Sequence, residues 1–128
     1  HGYVERRGRP ASLAELAEHD VIGPDRNRSD LAMVDRLGGL SRDRFVLRTD
    51  SHPAHVAAAR AGIGIAVAQV PVGERDPNLV RILPDLDVIV LETWIVTHEN
   101  LVRVPRVRAV FDSLVDSFRE MSRSVRGG

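Results

Sequence analysis

The sequence predicts an α/β fold with a parallel sheet, on three observations. The 128-residue chain is 43% hydrophobic but only 4% aromatic, so its core must come from Val, Leu, Ile and Ala, as in a packed α/β sheet. A strand–turn–helix–strand unit spans residues 44–68, a right-handed βαβ crossover when its strands are parallel. A long apolar run, Val88–Thr97, precedes a helical periodicity that starts at Arg103. The length suits one domain, or a domain with an appendage.

The elements follow in order. Pro10-Ala11-Ser12-Leu13-Ala14-Glu15 opens a helix, with Ser12 as N-cap and Glu15 completing a capping box. Leu13, Leu16 and Ala17 give it a small apolar face, and Asp20–Ile22 reads as a short strand. Gly23–Arg28 has loop chemistry. Ser29 is the expected cap of a second helix, with Leu31, Val34 and Leu37 inward and Gly38-Gly39 as its stop. Arg44–Arg48 is a strand by its β-branched and aromatic content, and Thr49–Ser51 a polar turn. Pro53 sits in the first turn of the next helix, where its missing N–H does no harm, and that helix reaches Gly62.

Ala59–Ala68, "ARAGIGIAVA", invites a nucleotide-binding reading through its two glycines. A dinucleotide fingerprint needs its glycines after a strand and before a helix, so that the helix N-terminus faces the phosphates. Here the order is reversed. Gly62 reads as the left-handed residue that ends a helix, and Gly64 as relief for close backbone packing. Beyond it, Val72–Pro77 is an expected loop, Leu79–Leu83 a short strand and Val88–Thr97 a long one. The last helix places Val107, Val110, Phe111, Leu114, Val115 and Phe118 on one face, and Ser122–Gly128 reads as a frayed tail.

Eighteen basic residues, all arginine, balance eighteen acidic ones, so no global field draws the chain to DNA or a membrane. The absence of Cys excludes disulfides, thiolate catalysis and Cys-based metal sites, and fits a reducing compartment. No apolar run has the length of a membrane span, and the start, HGYVERRGRP, is not a signal peptide; a soluble, cytoplasmic domain is expected.

Ligands of open α/β sheets bind at the carboxyl ends of strands, near helix N-termini. That places Thr49, Asp50 and Ser51 at a candidate site, as well as the loop Gly23, Pro24, Asp25 and Arg26; Gln69 and Pro71 end the strand that leaves Gly64, on the same rim. The competing assignments are plain ones: Asp50 or Ser51 caps the helix, and Arg26 and Arg28 are solvated surface charges. His52 and His55 have the spacing of a metal pair but lack a Glu in the motif and enclose a proline, so no metal and no cofactor is expected. No nucleophile elbow or distinguishable carboxylate pair is present, and no catalytic residue is assigned. Trp94 is read as core or hinge packing, and Arg103, Arg106 and Arg108 as a solvated face.

The ordered series "YVERRGRPASLAELAEHDVI", "FVLRTDSHPAHVAAARAGIGIAVAQVPV", "LVRILPDL" and "ETWIVTHENLVRVPRVRAVFDSLV" resembles the effector-binding domain of LysR-type transcriptional regulators, from about Tyr3 to Phe118. The resemblance implies a fold like that of type 2 periplasmic binding proteins, with two α/β lobes around a small-molecule cleft. Residues 11–87 would form the second lobe, and residues 88–121 the strand and helix that return to a truncated first lobe, ahead of the tail at 122–128. Family effector contacts carry over to Gly23–Arg26 and Thr49–Ser51. The winged helix-turn-helix and most of the first lobe are not in this stretch, so DNA would be reached only through that domain.

The expected function is effector sensing and dimerisation within a bacterial regulator, not catalysis. The implied partners are a small molecule, for which Arg26 and the helix N-terminus suggest a carboxylate, and further copies of the chain in a dimer or tetramer. No membrane partner is expected. The apolar face of the last helix is expected to drive self-association. The alternative is a periplasmic solute-binding protein fragment serving a transporter; an enzyme reusing the fold would need a convergent acid, base or nucleophile set.

Overall fold

The computed structural model describes residues 2–86 and 88–126, with side chains to residue 123. Helix α1, Gly2–Arg7, opens the chain where the sequence reading placed no element. It is held from within: the Tyr3 ring is buried, its hydroxyl accepts from the Asp20 N–H at 2.8 Å and lies 3.2 Å from His19 Nδ1. Arg6 donates to the Gly62 carbonyl at 2.6 Å.

Helix α2, Leu13–Leu16, is a single turn and starts as expected. Ser12 Oγ accepts from the Glu15 N–H, while Glu15 Oε2 accepts from Ala11, one residue before the cap. Strand β1, Val21–Gly23, leads through a short loop to helix α3, Arg28–Leu37. The cap of α3 is Asn27, not Ser29: its Oδ1 takes the N–H groups of Ser29 and Asp30, because an Asx side chain two residues back reaches both. Gly38 and Gly39, both at positive φ, stop it. A 3₁₀ turn, Arg42–Arg44, precedes strand β2, Phe45–Arg48, which leads to helix α4, His52–Arg60.

Strands β1 and β2 are parallel, pairing Val21 with Phe45 and Gly23 with Arg48. The opposite edge of β1 pairs with Ile65, also in parallel, through Ile22 N–H to Ile65 O and Ile65 N–H to Asp20 O, both 2.8 Å. β1 is therefore flanked on both sides, but the strand expected to leave Gly64 is reduced to a single bridge at Ile65. Gly62 has φ of 71° at the end of α4, and a Cβ on Gly64 would overlap the Asp20 carbonyl oxygen. Both glycines have the structural roles read from the sequence. Ile22, Phe45, Val34 and Ala58 are buried around this sheet, with Leu16 and Tyr3 buried in the same unit.

Helix α5, Val70–Glu74, replaces part of the loop expected at Val72–Pro77. Its end is fixed by Asp76, a buried carboxylate that accepts from Asn78 N–H at 3.0 Å and pairs with Arg60. Those bonds hold the Asp76 carboxyl below its ordinary pKa. No strand forms at Leu79–Leu83; Pro84 and Asp85 instead build a turn closed by Leu86 N–H to Leu83 O at 2.9 Å.

The chain divides into two compact units, His1–Ile89 and Val90–Gly128. In the second, the apolar run that ends at Thr97 forms no ladder among the described residues. A strand requires a partner edge, and none of the described backbone supplies one. Trp94, expected in core or hinge packing, is 79% exposed. Helix α6, Pro105–Arg126, starts on a proline and carries an Arg108–Asp112 pair at 2.8 Å, which raises the Arg108 pKa. It continues through residues expected to fray from Ser122, while Gly127 and Gly128 lie outside the described residues, as do His1 and Asp87. Val107, Phe111, Val115 and Phe118 are half-buried, whereas Val110 and Leu114 are exposed beside an open groove of about 400 Å³ flanked by Ile95–Thr97.

Candidate functional site

Parallel pairing brings the carboxyl ends of β1 and β2 to one edge, because both strands run the same way and end in register. Gly23 is paired with Arg48, and the next N–H, that of Thr49, donates to the Gly23 carbonyl at 3.1 Å. The loops 24–27 and 49–51 thus leave the sheet side by side. Of the sequence-predicted residues, Gly23, Pro24, Asp25, Arg26, Thr49, Asp50 and Ser51 are brought together here. Gln69 caps α5 and Pro71 lies in its first turn; among the described residues no hydrogen bond or ion pair joins either to the two loops.

The junction is made by Asp50. Its Oδ1 accepts from the N–H groups of Asp25 and Arg26, each at 2.9 Å, and of Asn27 at 3.0 Å. Its pKa is lowered, first by the Asn27 and Arg26 amides, since bonds made only to the ionised form favour it. Ser51 Oγ takes the Ala54 N–H and caps α4. So Ser51 caps its own helix, whereas Asp50 turns to the neighbouring loop. Gly23 is required at its position because a Cβ would run into the Phe45 ring.

The surrounding charges are paired locally. Asp25 meets Arg42 at 2.8 Å and Arg26 at 3.3 Å, and Arg42 Nε also donates to the Asp25 carbonyl. His52 Nε2 lies 3.0 Å from Asp30. His55 is buried, and its Nε2 donates to the Thr49 carbonyl at 2.6 Å, which fixes the end of β2 on α4. The two histidines therefore face different partners.

Sequence reasoning missed Asn27, Arg42 and His55. Asn27 carried a signal, an Asx residue just before a helical pattern. Arg42 carried none, since it lies far along the chain from the Asp25 it binds. His55 shows in the sequence only the spacing of a metal pair with His52, which says nothing of its bond to the Thr49 carbonyl. An open depression of about 410 Å³, lined by Arg9–Ala11, Leu13 and Leu83–Leu86, contains none of the candidate residues.

A parallel α/β unit whose polar loops converge at the strand carboxyl ends is the arrangement of a small-molecule-binding module. The family model of the LysR substrate binding domain matches residues 1–119, and the chain belongs to that family. Its members are regulatory ligand-binding modules with a fold of the type 2 periplasmic-binding-protein kind. No curated protein and no solved structure matches the chain. No helix among the described residues is long and apolar enough to cross a membrane.

Proposed function

We propose that this chain senses a small-molecule effector for a LysR-type transcriptional regulator, with Gly23–Arg26 and Thr49–Ser51 forming one rim of the effector cleft and Gln69 and Pro71 extending it. The observation that carries this is the meeting of the two loops at the carboxyl ends of β1 and β2, within a stretch matched to the substrate binding domain. The regulator contacts DNA through a domain outside this stretch and works in the cytoplasm as a homo-oligomer. No residue is assigned a catalytic role, and the family match favours a regulator over a transport receptor.

The mechanism follows from linkage. An effector shifts the regulator between arrangements only by the difference in its affinity for them. A rim held by hydrogen bonds costs less to order on binding than a loose one, so more of the contact energy reaches that difference. Arg26 is an exposed cation of the rim, and the Thr49 hydroxyl accepts from the Ser51 N–H within the second loop.

The test uses the complete regulator. Arg26→Ala with Thr49→Ala is expected to move the effector dose–response of DNA binding about tenfold to higher concentration, the effect of losing roughly 1.4 kcal/mol of contact. An unchanged dose–response overturns the site assignment.

A further inference from the structure

Three successive backbone N–H groups, those of Asp25, Arg26 and Asn27, converge on one point. Such a run of amides forms a concavity for a small anion, because the partial positive charges add. In this chain the concavity is filled from within. Asp50 Oδ1 receives all three, and Arg26 N–H also reaches Oδ2 at 3.2 Å.

Several other anion-binding groups of the rim are engaged as well. Asn27 Oδ1 takes the first amides of α3, Ser51 Oγ takes that of Ala54 in α4, and Pro53 brings no N–H. Arg26 and Arg42 both lie against the Asp25 carboxylate. The groups that suggested a carboxylate ligand from the sequence, Arg26 and a helix N-terminus, are thus already met by the chain's own oxygens.

We propose that Asp50 is a resident anion that sets the specificity of this rim: its carboxylate occupies the amide concavity of Asp25–Asn27 and excludes an effector's carboxylate from it. A neutral polar group is the effector chemistry that suits the rim. The reason is one of concentration and charge. A carboxylate tethered two residues beyond β2 competes at an effective concentration of roughly millimolar or more, without loss of translational freedom. A free carboxylate must displace it and also approach its negative charge. Asp50 acts by position, holding the loop after β1 against the end of β2 while denying the amides to outside anions.

This specificity rests on reading the two loops as effector contacts, but its test needs no effector. The backbone amides of the ¹⁵N-labelled chain are followed by NMR during titration with sodium acetate, against sodium chloride at equal ionic strength. In the wild type the amides of Asp25, Arg26 and Asn27 are expected to stay still. In Asp50→Ala the same amides are expected to shift saturably with acetate, and acetate but not chloride raises the melting temperature. Saturable acetate shifts at these amides in the wild type overturn the proposal, as does a folded Asp50→Ala that ignores acetate. Should Asp50→Ala not fold, Asp50→Asn gives the second readout. Hydrogen exchange at the three amides is expected to quicken by about tenfold, and unchanged exchange overturns the proposal. Failure of the effector reading would appear instead in the Arg26 and Thr49 dose–response, which is independent of acetate.

Discussion

At the residue scale, single atoms decide how close the elements stand. Gly64 lies where β1 passes, and a Cβ there would overlap the Asp20 carbonyl oxygen, the acceptor for Ile65 N–H. Gly64→Ala must push the segment off β1, and is expected to cost about 1–3 kcal/mol in chemical denaturation, the range for overpacking a buried contact. A stability within a few tenths of the wild type would show that the segment gives way freely. Asp50 adds a pH dependence whose sign is fixed by its lowered pKa. A carboxyl stabilised in its ionised form contributes fully above the unfolded value, and that contribution is lost as pH falls from about 4 through the lower folded value. The Arg26 charge acts in the same direction, lowering the Asp50 pKa further. Asp50→Asn should therefore be less stable than the wild type at neutral pH, with the difference shrinking in acid. A difference equal at neutral and acid pH would show that the charge of Asp50 is immaterial.

At the scale of elements, what the sequence made legible was local. Ser12 with Glu15, Gly38-Gly39, Pro53 and Gly62 mark helix ends by chemistry confined to a few residues, and the structure places helix ends at each. The expected strands diverged for the opposite reason. Val21–Gly23 and Phe45–Arg48 became strands because each found a parallel neighbour. Leu79–Leu83 and the run to Thr97 have comparable β-propensity, but no described edge pairs with them. Propensity describes fit to a pleated surface and does not supply the partner. The candidate site was half legible in the same sense. The strand-end rule located Gly23–Arg26 and Thr49–Ser51, but the bonds from Asp50 to residues 25–27 depend on β1 and β2 pairing in register. Arg42 was hidden for that reason too.

At the scale of the molecule, the two units differ in how much apolar surface they leave open. In the second, Val90, Trp94 and Val96 are each about four-fifths exposed, and Val110 and Leu114 are exposed on α6. An exposed apolar surface of this kind favours association. The chain is expected to self-associate with rising concentration in light scattering, and Val96→Asp with Val110→Asp to lower the apparent mass. A monodisperse monomer at high concentration would remove this expectation. Membership of the LysR substrate binding domain family adds that the surface belongs to a regulatory module.

The position of β1 bears on synthesis as well. Val21 pairs with Phe45 on one edge and Ile65 on the other, so the strand made first among the three is completed last. On the ribosome its apolar residues must wait, unpaired on at least one side, until the chain as far as Ile65 has cleared the exit tunnel. Such waiting exposes an edge to other nascent chains, the situation in which holding chaperones are used. A pause in translation that holds Ile65 inside the tunnel after Val21–Gly23 has emerged is thus more hazardous for this protein than one that falls after Ile65 has cleared it.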